Sequence, residues 1–124
     1  MPILFKPEYV PLILSGKKTQ TRRLWKRPRV KKGCIYQART ELFGKPFALI
    51  KVKRLWRQRI WDMTEEEARA EGYKDWSHFL EAFVEINKLY SMSKRGGVLV
   101  MRFPDASQIV VWAVEFEVVE VVER

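Results

Sequence analysis

The run Gly16-Lys17-Lys18-Thr19-Gln20-Thr21-Arg22-Arg23 places four cations and two hydroxyls within eight residues, directly after the apolar segment 9–14. Cations at that density repel one another unless an anion or an acidic partner compensates them. Lysine and arginine with interspersed threonines are suited to hold a phosphate or the polar edge of a nucleobase. The same pattern is also what a solvated edge strand carries when it is charged against aggregation. The run alone leaves both readings open.

The elements around it must position these groups. Residues 7–15 read as a short first helix, with Pro11 tolerated only in its opening turn, and Gly16 supplies the left-handed residue that ends it. Residues 19–24 then suit a strand. Alternation puts Thr19, Thr21 and Arg23 on one face, and Lys18 reaches them only from the preceding turn. Residues 26–33 form a basic loop ending in a turn. Strands are expected at 35–40 and 47–56, joined through Leu42-Phe43-Gly44-Lys45-Pro46. The clearest helix signal follows: Thr64 and Glu67 form a capping box, three glutamates complement the helix N-terminus, and Gly72 ends it. Apolar residues at helical spacing from Phe79 to Tyr90 predict a second amphipathic helix over 76–90. Gly96-Gly97 opens a strand at 98–103, a turn follows over 104–107, and a final strand runs over 109–121. Strands in hairpins, without β-α-β alternation, favour a small mixed β-barrel of the α+β class, with about five strands and two or three flanking helices.

The chain has 124 residues, which is the length of one domain (1–124) with a sizeable core. It is 47% hydrophobic and 31% charged, a balance that excludes a disordered chain. No apolar run approaches the ~20 residues of a membrane span, and the N-terminus lacks a signal-peptide pattern, so a cytoplasmic protein is expected. One cysteine excludes an internal disulfide. With one histidine beside it, a zinc site is not expected, nor is any cofactor. Cys34 reads as a small apolar filler at a strand start and His78 as a partly exposed helix residue.

Charge is divided along the chain. Residues 1–60 hold 17 Lys or Arg against Glu8 and Glu41, and residues 61–124 hold 7 against 13 acidic residues. The halves are therefore +15 and −6, the footprint expected of a protein that meets nucleic acid, although interdigitation in the fold must neutralise part of it. A contiguous basic surface is expected from Lys17, Arg22, Lys26, Arg27, Arg29, Lys31 and Lys32. Trp25, Trp56 and Trp61 are interleaved with cations and could stack bases, although tryptophans in so small a domain more often serve the core. Trp25, polar on both sides, is the first candidate to face solvent.

Four blocks, Ile13-Leu14-x-Gly16-x-Lys18-Thr19-x-Thr21-x-Arg23, Lys32-Gly33, Thr64-x-x-x-Ala68-x-x-Glu71-Gly72 and 111–116 in the last strand, resemble in type and order those of the ASCH family, a branch of the PUA-like fold. The resemblance implies a small β-barrel with flanking helices and a cleft associated with RNA or nucleotides. One bacterial subgroup hydrolyses the amide of acetylated cytidine with a lysine, a threonine and a glutamate, which match Lys18, Thr21 and Glu71 here. The motif's arginine matches Arg23. This chain departs from the subgroup in carrying basic Arg22 where the subgroup is apolar, and in being longer around 73–95.

The chemistry is coherent. A lysine whose pKa is depressed by Lys17, Arg22 and Arg23 could act as base, Glu71 could orient water or the leaving amine, and Thr21 could serve as nucleophile or donor. A structural ion pair between Lys18 and Glu71 would use the same residues, as would a cleft that only binds. The expected ligand-binding set is Gly16, Lys17, Lys18, Thr19, Thr21, Arg22, Arg23 and Trp25. The expected function is binding of RNA or a modified nucleotide, and the competing one is a metal-independent hydrolase of acetylcytidine or of RNA in the same cleft.

Overall fold

A five-stranded mixed sheet, in the order β1 (Ile3–Leu4), β3 (Ile35–Arg39), β4 (Ala48–Arg59), β7 (Val110–Val121) and β2 (Gln20–Arg23), curls into a half-barrel. The computed structural model describes residues 2–89, 91–102 and 105–122, with residues 91–95 and 98–102 described by backbone alone. Tyr90, Phe103 and Pro104, which the sequence assigns to a helix end, a strand end and a turn, lie outside the described residues.

β1 (Ile3–Leu4) pairs in parallel with β3 (Ile35–Arg39), and every other pairing in the sheet is antiparallel. β1 is too short to carry an alternation, which is why the sequence does not announce it. A 3-10 turn at Pro7–Tyr9 leads into α1 (Val10–Leu14), and Gly16 (φ +79°) ends that helix. β2 (Gln20–Arg23) is one edge of the half-barrel and β1 the other.

β4 (Ala48–Arg59) and β7 (Val110–Val121) form the central ladder. β4 runs three residues beyond its expected end because two register irregularities, at Leu49/Ile50 and Val52/Arg54, let it follow β7 around the curve. Before the second bulge Ile50 and Val52 point into the first core; after it Leu55 does so. The bulge thereby transfers Trp56 and Gln58 to the opposite face.

Two cores occupy the two faces. Ile3, Phe5, Ile13, Ile50, Val52, Val114 and Phe116 fill the inside of the half-barrel. Ile60, Ala68, Phe79, Phe83, Ile109 and Val111 form a second cluster where α2 (Glu65–Ala70) and α3 (Trp76–Ile86) cover the other face. The same covering is visible in β7. Val111, Ala113, Val114 and Phe116 are all buried, because the helices cover the side that would otherwise meet water.

The Thr64–Glu67 capping box forms with both of its hydrogen bonds, and Glu71 closes α2. Asp75 caps α3 by accepting from the His78 amide at 2.8 Å, a second local helix start three residues upstream of its partner. Left-handed Lys88 (φ 54°) follows α3, which ends at Ile86, earlier than the apolar spacing predicts. β5 (Ser91–Arg95) and β6 (Val98–Arg102) form a separate hairpin through Gly96 and Gly97, both at positive φ. β5 is not expected from the sequence, since Ser-Met-Ser-Lys-Arg has no β-branched or aromatic residue.

Two further expectations are corrected. Cys34 is exposed, because it follows left-handed Gly33 in an outward turn of the basic loop. Trp25 packs against the first core as the loop folds over the half-barrel, while Trp61 is 61% exposed. No helix among the described residues is long and apolar enough to cross a membrane.

Candidate functional site

Lys18 is held by backbone on both sides. Its amide donates to Leu12 O at the end of α1 (2.9 Å), and the next amide, of Thr19, donates to Ala70 O at the end of α2 (2.8 Å). Gly72 (φ +100°) then passes so close that an added Cβ would lie 3.7 Å from Lys18 Cβ. So clamped, the side chain runs into the protein and is 2% exposed. Its ammonium donates to the Glu71 carboxylate (3.0 Å) and to the Glu71 carbonyl (2.8 Å), and lies 4.7 Å from the Tyr9 ring centroid. The carbonyl is one that helix geometry leaves unpaired, so Lys18 also caps α2. Burial is the largest influence on Lys18 and pulls its ammonium below the ordinary lysine value; Glu71 opposes that, while Arg23 and Arg22 add to it more weakly. The depression expected from crowding by neighbouring cations thus comes chiefly from desolvation.

Glu71, 3% exposed, divides its carboxylate. One oxygen takes Lys18 and the other takes Arg22 at 3.0 Å. Arg22 also reaches Glu67 (2.8 Å), Gln58 (3.0 Å) and Gln20 (2.9 Å). Its charged end is wholly buried and its donors are taken up by the protein, so it is no part of an exposed basic surface. The reason is register: Arg22 opposes Ala113, on the face that α2 covers.

Thr21 and Arg23 lie on the other face of β2. Arg23 Nε donates to Thr21 Oγ1 (3.1 Å), Nη2 donates to Leu4 O (2.7 Å), and the guanidinium lies 5.1 Å from the Phe5 ring centroid. Arg23 therefore ties the two edge strands of the half-barrel together. Its Nη1 makes no hydrogen bond among the described residues. Thr21 Oγ1 accepts a hydrogen bond from Arg23, which leaves its own hydroxyl hydrogen to donate.

At this seam lies a cavity of about 130 Å³. Lys18, Thr21, Arg22, Arg23 and Glu71 line it, joined by Lys6, Tyr9, Tyr73, Phe79 and Asn87 among others. The hydroxyls of two lining residues, Tyr9 and Tyr73, hydrogen-bond each other, and burial raises the pKa of both. A space of roughly 150 Å³ holds one benzene ring, so the cavity is sized for a single ring.

The remaining expected residues do not converge there. Gly16 and Thr19 line a separate depression with Lys53 and Glu115. Lys17 is exposed, and Trp25 lies in a groove formed by residues 24–29. Sequence reasoning missed Tyr9, Tyr73, Phe79 and Asn87, which come from three separated segments and carry no spacing signal. Among the described residues no cluster of His, Cys, Asp or Glu could hold a metal ion.

The structural match comes from solved proteins. A crystal structure of an ASCH domain from Lactobacillus crispatus JV V101 superposes with a TM-score of 0.69 over 96% of this chain and 79% of that one, at 20% identity. The fold is that of an ASCH domain. A DUF984 protein from Enterococcus faecalis V583 matches with a TM-score of 0.59 over 92% of this chain and 71% of its own, at 18% identity. No protein-family model and no curated protein matches the sequence. At these identities the ASCH likeness concerns the arrangement of strands and helices, and the site rests on this chain's own residues.

Proposed function

We propose that this protein binds RNA or a modified nucleotide, with one base in the cavity at the seam of the half-barrel. The observation that carries this reading is the lining: Lys6, Lys18, Arg22 and Arg23 against the single carboxylate of Glu71, around a space sized for one ring. The unused Nη1 of Arg23 and the hydroxyl hydrogen of Thr21 are donors suited to ring nitrogens and carbonyls, and Phe5, Tyr9 and Phe79 supply apolar walls. The exposed cations of the loop after β2 support a ligand with a phosphate backbone. Titration of nucleoside monophosphates and a short single-stranded RNA at two salt concentrations tests it. Binding should be detectable at low salt and fall at least tenfold in Arg23→Ala. Absence of binding at low salt would overturn it.

A second reading is favoured by the buried, low-titrating Lys18 beside Glu71. A metal-independent hydrolase of acetylcytidine, or of RNA, would use Lys18 as base, Thr21 as nucleophile or donor, and Glu71 to orient water or the leaving amine. Glu71→Gln should then abolish turnover while leaving ligand affinity nearly intact, and Lys18→Ala should be inactive. Hydrolysis of acetylcytidine by the wild type, lost in Lys18→Ala, would decide for this reading over binding alone.

A further inference from the structure

Arg23 belongs to a second feature besides the cavity. On the sheet it stands opposite Trp112 of β7, and Trp112 stands opposite Arg57 of β4. Directly opposed residues of antiparallel strands share a face, so Arg23, Trp112 and Arg57 form one cross-strand row. Its ends are about 9.5 Å apart at the usual strand spacing. Arg57 is exposed, and its guanidinium lies 5.4 Å from the Trp112 ring centroid.

The row differs from its surroundings in how its charge is met. The neighbouring arginines of β4 are paired, Arg54 with Glu115 at 2.9 Å and Arg59 with Asp62 at 3.0 Å. Among the described residues Arg57 and Arg23 have no carboxylate within ion-pair distance. Between them Trp112 Nε1 is buried with no acceptor among the described residues, an arrangement that folded proteins rarely leave uncompensated. Three groups with donors to spare thus stand in line, starting at the cavity wall and leading away from it.

We propose that the Arg57–Trp112 pair holds the phosphate and nucleotide flanking the base in the cavity, so that the ligand is a single-stranded RNA of two or more residues rather than a free nucleoside or mononucleotide. The Arg57 guanidinium and the remaining Nη1 of Arg23 can converge on one phosphate beside the indole, with charge-assisted hydrogen bonds from both sides. The indole face is a stacking surface for the flanking base, which every base can use. This inference rests on the reading of the cavity as a base site.

The test compares a nucleoside, a dinucleotide and a short single-stranded RNA by calorimetric titration at several salt concentrations. The variants are Arg57→Ala, Arg57→Lys and Arg23→Ala. The wild type should bind the dinucleotide at least tenfold more tightly than the nucleoside. Arg57→Ala should erase most of that gain, leave nucleoside affinity unchanged and reduce the dinucleotide salt slope by about 0.7, the value for a single phosphate no longer neutralised; Arg57→Lys should restore the slope and only part of the affinity. Nucleoside binding with dinucleotide affinity indifferent to Arg57→Ala would overturn this inference alone. Failure of the wild type to bind any of the three ligands at low salt would overturn the cavity reading and this inference with it. Arg57 is exposed, so its replacement leaves the core intact, and an unchanged near-ultraviolet circular dichroism spectrum verifies this for each variant.

Discussion

Lys18, Arg22 and Glu71 place two cations on one carboxylate, all three less than 5% exposed. Taking such groups out of water is costly, and the arrangement holds because almost every donor has an acceptor. Removing one member leaves charge behind. Lys18→Met, which keeps the apolar stem against Gly72, should destabilise the protein by about 3 kcal/mol, the low end expected for breaking a buried pair, since Arg22 still compensates Glu71. The pH dependence follows from the direction of the shift. Lys18 titrates below 10.5 in the folded protein. Between its folded value and 10.5 the unfolded chain therefore binds a proton that the folded chain has released, and the stability contribution of Lys18 rises with pH through that window. Denaturant unfolding at a series of pH values from neutral to about 10 should show the wild type gaining on Lys18→Met as pH increases. A difference independent of pH would contradict the buried, desolvated state of this amine. The participants Lys18, Thr21, Arg23 and Glu71 were legible in the sequence as a resemblance. The role of Arg22 was not, because whether a strand residue faces water or a helix depends on what covers that face.

At the scale of elements, Gly72 is the joint of the site. It ends α2 at φ +100°, and an added Cβ would meet Leu12 Cδ1 at 3.1 Å. Gly72→Ala should cost about 2 kcal/mol from the left-handed backbone and the close approach together, and should weaken ligand binding by displacing Lys18. Gly16 is the control. Its φ is +79° but nothing lies within 4 Å of an added Cβ, so Gly16→Ala should bear the backbone strain alone and lose less stability in thermal unfolding. A ranking in which Gly16→Ala is the more damaging would argue against the close packing of Gly72 on the site. Both glycines and the Thr64–Glu67 cap were readable because helix ends use local chemistry within a few residues. The β4 bulges were not, since they answer to the curvature of the ladder with β7 and leave no residue signature here.

Across the whole molecule, the division of charge is partly resolved by pairing. Lys51 of β4 stands opposite Glu117, and Arg54 is bonded to Glu115, so the outer face of the central ladder carries its own neutralisation. Lys26, Arg27, Arg29, Lys31 and Lys32, on the loop that spans from β2 to β3, remain exposed. Replacing Arg27 and Arg29 by alanine should leave stability within about 0.5 kcal/mol, as for surface positions generally. It should lower the salt dependence of RNA binding by about 0.7 in logarithmic slope for each phosphate that these arginines neutralise; an unchanged slope would place the backbone elsewhere. The sequence by itself determined most of the elements, β1 and β5 excepted, because caps, left-handed glycines and apolar periodicity act over a few residues, and it determined the excess of positive charge, because composition does not depend on folding. The tertiary structure alone decided that Arg22 turns to the Glu71 carboxylate instead of to solvent, and that Arg23 lines a ring-sized cavity in a row with Trp112 and Arg57. Those outcomes depend on strand register and on which face the helices bury, quantities set by the packing of the entire sheet and absent from the spacing of any one segment.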